Sequence, residues 1–68
     1  MEFAKILKDL RIEKGLKQIE LGKMLNVTDT AIWGWETGRR EPSLSTVCKL
    51  ANIFDVSVGQ LLGVEELY

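Results

Sequence analysis

An all-α fold, a compact bundle of five short helices, is what the sequence predicts, and three observations carry that prediction. Apolar residues recur at spacings of three and four along the chain. Residues that cap or stop helices punctuate those runs at short intervals. Val, Ile and Thr nowhere alternate long enough to build a pair of strands. The composition agrees, with 46% of the 68 residues hydrophobic and 28% charged, an ordinary globular balance. A chain of this length is expected to make one domain over residues 1–68, with 63–68 as a C-terminal tail. Such a chain buries only about 60% of its unfolded surface, so its core is small.

The first helix is expected over residues 2–14, where Phe3, Leu7, Leu10 and Lys14 share a face with charges between them. Gly15 supplies the left-handed residue that ends it. Leu21, Met24 and Leu25 set the apolar face of a second helix over 18–25, stopped by Asn26, which tolerates the same geometry. Thr28 is a good N-cap for a third helix over 29–36, with Asp29 at the positive end of its dipole. Gly38 closes that helix and Arg39-Arg40-Glu41-Pro42 forms a loop. Ser43 or Ser45 caps a fourth helix, whose Val47, Leu50, Ala51 and Phe54 share one face. Ser57 and Gln60 have capping-box spacing for a short fifth helix ending near Gly63.

Several function classes are excluded at this level. The chain has no histidine, and Cys48 is its single cysteine. An internal disulfide, a Cys/His zinc site and an imidazole-dependent triad are therefore out, and neither a metal, a cofactor nor enzymatic catalysis is expected. No apolar run approaches the roughly 18 residues that span a bilayer. The N-terminus alternates charged and apolar residues, unlike a signal peptide. The reducing cytoplasm is the expected compartment, with no membrane partner. Net charge is −1, but it is segregated. Residues 1–49 carry all nine cations against seven acids, whereas 50–68 carry Asp55, Glu65 and Glu66 and no cation.

The informative feature is the pair of helices 18–25 and 29–36, separated only by Asn26, Val27 and Thr28. So short a turn cannot lay two helices antiparallel; it forces a steep crossing, a helix-turn-helix. Gly22 is the small residue such a crossing needs where the helices meet. Leu21, Leu25, Val27, Ile32 and Trp35 lock the corner against the core. Around this corner stand Leu10-Arg11, Gly15-Leu16, Gln18-Ile19-Glu20-Leu21-Gly22 and Leu25-Asn26-Val27-Thr28. Ile32, Trp35-Glu36, Gly38, Pro42, Val56-Ser57 and Leu61-Leu62-Gly63 follow. In this set the chain resembles the phage-repressor and Cro-like helix-turn-helix DNA-binding domains, the Xre family, from Phe3 to about Gly63.

The resemblance implies a lambda-repressor-like fold and a stand-alone transcriptional regulator that binds double-stranded DNA. Helix 29–36 would be the recognition helix in the major groove, with Asp29, Thr30, Trp33 and Gly34 at the base-reading positions. Gln18 would hold a phosphate at a helix start, where free backbone N–H groups favour anions, with Lys17 adding a cation beside it. Arg39 and Arg40 would position the DNA backbone. Arg11 and Glu36 would form a structural ion pair between the first and third helices. A homodimer on half-sites about one helical turn apart is expected, with no small-molecule ligand.

Alternatives stay open at individual positions. Asp29 either accepts from cytosine N4 or serves only the helix dipole. Trp33 touches a thymine methyl or sugar, contacts a protein, or packs across the domain surface. Gln18 as a solvated helix-start residue and Arg39-Arg40 as a plain basic loop are the bland readings. Lys17 stands where the family has a capping Ser or Thr, Gly22 replaces alanine, Asn26 replaces glycine, and Trp33-Gly34 replaces Ser and a polar residue. Met24, Leu50 and Phe54 are expected in the core, Cys48 half-buried, and Ile6, Ile12 and Ile19 exposed. Residues 61–68 are the candidate self-association surface. The competing function is a protein-interaction module on the same fold, an antitoxin or assembly partner, using Trp33 and the isoleucines.

Overall fold

The computed structural model describes residues 2–66. Helix α1 runs Phe3–Glu13, α2 Gln18–Leu25, α3 Asp29–Glu36, α4 Leu44–Phe54 and α5 Val58–Leu62, with no strand among the described residues. Each helix contributes one side chain that is fully removed from water: Leu7, Leu21, Ile32, Leu50 and Leu61. Trp35, Val47 and Ala51 complete the buried core, with Phe3, Leu10, Leu25 and Phe54 packed partly against it. Fully burying one such aliphatic side chain contributes about 1.5–3 kcal/mol. Among the described residues no helix is long and apolar enough to cross a membrane.

The helix ends share one chemistry. The residues with positive φ are Gly15, Asn26, Gly38, Asp55 and Gly63, one after each helix. In each case the next N–H donates to a carbonyl five residues back, as in Val27 to Gly22 at 2.8 Å and Val56 to Ala51 at 3.0 Å. These bonds satisfy carbonyls that a helix end otherwise leaves unpaired. Starts are capped by hydroxyls: Thr28 accepts from Ala31 N–H, Ser43 from Thr46 N–H and Ser57 from Gln60 N–H. Ser43, rather than Ser45, is thus the cap of α4.

Three burial expectations are corrected. Met24 is 52% exposed, because α2 turns Leu21, Gly22 and Leu25 inward and Met24 falls outside that arc. Cys48 is exposed for the same reason on α4, where Val47, Leu50 and Ala51 face in. Ile6 is half-buried, since the end of α5 lies against it: a Cβ at Gly63 would stand 3.2 Å from Ile6 Cδ1.

The corner between α2 and α3 rests on Gly22 and on an ionic clamp. A Cβ at Gly22 would sit 2.7 Å from the Val27 carbonyl oxygen and 3.3 Å from Thr28 backbone carbon. The clamp joins α1, the turn after it, and both helices of the corner. Arg11 Nε donates to Glu36 Oε2 at 2.6 Å and Nη2 to Oε1 at 3.0 Å. Nη1 donates to Leu16 O at 2.8 Å, and Gln18 Nε2 donates to Glu36 Oε1 at 3.1 Å. The Glu36 side chain is only 2% exposed and that of Arg11 12%.

Gly22→Val should destabilise the domain by about 2–3 kcal/mol through overlap with backbone that cannot rotate away. Gly22→Ala should lose less, because a helix propensity gain of about 1 kcal/mol offsets part of the overlap; urea unfolding of both variants checks the order. Arg11→Ala strands a buried carboxylate at a cost of about 3–5 kcal/mol. That rivals the roughly 3–5 kcal/mol that a core this small supplies, so circular dichroism should show a largely unfolded chain at room temperature. The double variant Arg11→Met/Glu36→Leu should melt above either single one, since it leaves no charge unpaired.

Candidate nucleic-acid interface

Helix α3 is two-sided. Ile32, Trp35 and Glu36 face the core, while Asp29, Thr30, Trp33 and Thr37 lie on its outer side, all exposed. Their spacing makes one stripe along the helix and its C-cap. At its start the Asp29 carboxylate accepts from Thr30 N–H at 3.0 Å, and among the described residues its second oxygen and the Thr30 hydroxyl have no hydrogen-bond partner. Asp29 also sits where a helix dipole favours an acid.

At the far end the chain folds back over the last turn. Thr37 Oγ1 donates to Trp33 O at 2.9 Å and to Gly34 O at 3.3 Å. Past the left-handed Gly38, the backbone N–H groups of Arg39 and Arg40 both donate to Gly34 O, at 3.0 and 3.1 Å. The two side chains then diverge. The Arg39 guanidinium carbon stands 5.3 Å from the centroid of the Trp33 ring, a cation–π contact. The Arg40 stem covers Gly34, whose added Cβ would meet Arg40 Cγ and Cδ at 3.4 Å.

Gly34, expected among the base-reading positions, is buried, and the Arg40 stem lies over the space where a side chain would stand. Trp33 is 45% exposed and joins Asp29 and Thr30 on the outer stripe. Arg39 and Arg40 are exposed, and the ion pairs among the described residues, Lys5–Asp9 and Arg11–Glu36, include neither.

The start of α2 is a second polar locus. Lys17 is exposed and has no acceptor to offer the helix, so only half of a capping box forms there: Glu20 accepts from Lys17 N–H at 2.8 Å. Gln18 is half-buried with its amide directed at Glu36, which uses one of its two N–H donors. Lys17 and Gln18 are therefore not joined by contact to the α3 stripe; the Glu36 carboxylate is the link from Gln18 to α3. Periodicity missed the contacts across Gly38, because helical spacing stops at the helix end and the reversal that follows carries no pattern.

The family described as "Helix-turn-helix" matches residues 7–61. The HTH-type transcriptional activator BcrR of Enterococcus faecalis is 39% identical over 67 residues, 98% of this chain and 33% of BcrR. The HTH-type transcriptional regulator ImmR of Bacillus subtilis (strain 168) is 34% identical over 98% of this chain and 53% of ImmR. The cryptic phage CTXphi transcriptional repressor RstR of Vibrio cholerae is 33% identical over 94% of this chain and 58% of RstR. The chain thus spans less than two thirds of the length of each of these relatives. The P22 c2 repressor, solved in complex with synthetic operator 9T in the presence of Tl+, has a TM-score of 0.87 and 26% identity, covering 96% of this chain and 98% of that one. Five helices, a three-residue corner between α2 and α3 and a family match across 7–61 make this chain a member of the phage-repressor and Cro-like helix-turn-helix family, with a lambda-repressor-like fold.

Proposed function

We propose that this chain binds double-stranded DNA as the DNA-reading part of a transcriptional regulator, inserting α3 into the major groove. The observation that carries the reading is the outer stripe of α3, left uncovered in a fold shared over 96% of the chain with a repressor solved on its operator. Base reading falls to the first turn. The Thr30 hydroxyl can donate or accept, and the free Asp29 oxygen can accept from cytosine N4. Trp33 flanks them on the same stripe. Arg39 and Arg40 hold phosphates after α3, and Lys17 and Gln18 hold phosphates at the start of α2, where N–H groups lack a capping side chain.

One copy makes few base contacts, so useful affinity calls for a two-fold dimer on half-sites about one helical turn apart. Leu61 is fully buried and Leu62 half-buried, so of the candidate self-association segment 61–68 only Val64 offers an exposed apolar side chain among the described residues. Leu67 and Tyr68 lie outside the described residues. The rival reading, a protein-interaction module, draws on the exposure of Trp33, Ile12 and Ile19.

Three measurements separate the two. Selection from a random duplex pool should return a two-fold-symmetric consensus. If each protomer neutralises about three phosphates, log K against log salt for the dimer should fall with a slope of about −5. Arg39→Glu/Arg40→Glu should weaken binding by about 100-fold or more while the domain stays folded, at about tenfold per 1.4 kcal/mol lost. A flat salt dependence would favour the protein-interaction module.

A further inference from the structure

We propose that the Trp33-Gly34 step of α3 is a platform that aims Arg39 and Arg40, so that both residues act through the arginines rather than by touching bases. This rests on the reading that those arginines contact the duplex backbone. Four observations converge on it. Both arginine N–H groups are tied to a single carbonyl, Gly34 O. The Thr37 hydroxyl fastens the same turn at Trp33 O and Gly34 O. The Trp33 ring lies against the Arg39 guanidinium at 5.3 Å. The missing side chain at 34 is replaced by the Arg40 stem, close enough that a Cβ would meet its methylenes at 3.4 Å.

The chemistry suits a phosphate clamp. The cation–π contact uses no oxygen acceptor, so the Arg39 guanidinium keeps N–H groups available to donate to phosphate oxygens. Neither arginine is drawn into an ion pair among the described residues, so no carboxylate competes for that edge. Holding the side chains before DNA arrives removes part of the ordering cost from binding. An indole with one face under Arg39 is also a poor base reader, since only its edge and far face remain open. Glycine inside a helix is ordinarily unfavourable; here the vacancy seats Arg40.

The test is a double-mutant cycle on duplex affinity together with an NMR measurement on the free protein. With a selected or random-sequence duplex followed by fluorescence anisotropy, Arg39→Ala should lower the salt slope by about one per protomer. Trp33→Leu should weaken binding roughly threefold to tenfold and lower the slope likewise, whereas in the Arg39→Ala background it should cost less than about twofold. Trp33→Phe, which keeps an aromatic face, should recover most of the loss. Gly34→Gln should behave like Arg40→Ala, while Gly34→Ala should be tolerated by a small shift of the Arg40 stem. In the free protein, ring currents should move the Arg39 side-chain protons upfield, in wild type and Trp33→Phe but not in Trp33→Leu. Additive losses from Trp33→Leu and Arg39→Ala, or unshifted Arg39 protons, would overturn the platform while leaving DNA binding intact. A wild-type protein with no salt-dependent duplex binding would overturn the DNA-binding reading and the platform together.

Discussion

The approach of α2 to the turn at Gly22 sets how α3 presents its outer side to solvent. A Cβ there would stand 2.7 Å from the Val27 carbonyl oxygen, so the corner is packed more tightly than a side chain at that position would allow without a shift. The turn is also held from its other peptide unit, where Val27 N–H donates back to Gly22 O at 2.8 Å. The Glu36 carboxylate then secures the far end of α3 to α1 through Arg11, and to the start of α2 through Gln18. One end of α3 is thus set by close packing and the other by charge.

That division suits a small domain. One fully buried aliphatic residue per helix is a thin core. Uniform helix ends compensate by leaving few backbone groups unpaired. The buried ion pair is a weak source of net stability, because desolvating both charges consumes most of the attraction. Its value lies in geometry: a bidentate guanidinium accepts only a narrow range of carboxylate positions, which narrows the orientation of α3.

Much of this was legible in the residues themselves. The bounds of α2 and α3 coincide with the sequence-based ones because Asn26 and Thr28 act locally, through a left-handed backbone and a capping hydroxyl. Gly22 was legible because a close crossing calls for a small residue. Met24 and Cys48 were misplaced because spacing defines a face but not the width of the arc that the core covers. Asp55 as the stop of α4 was missed, since an acid in left-handed geometry is uncommon enough to go unread. The contacts of Arg39 and Arg40 required knowing how the chain reverses at Gly38, which no periodic pattern encodes.

The reversal also explains an economy along α3. Its first turn offers Asp29 and Thr30 with little attached to them, while its last turn is bound up with Thr37, Arg39 and Arg40. Under the proposed reading the two properties meet different parts of a duplex, since base edges vary whereas phosphates recur. With the rigid, cationic part at one end and the free polar groups at the other, substitution at 29 and 30 breaks few contacts of the fold. Substitution at 33 or 34 has no such freedom, because those positions share hydrogen bonds and packing with the loop that follows. A helix of eight residues leaves room for only two such zones, and Trp33-Gly34 is the border between them.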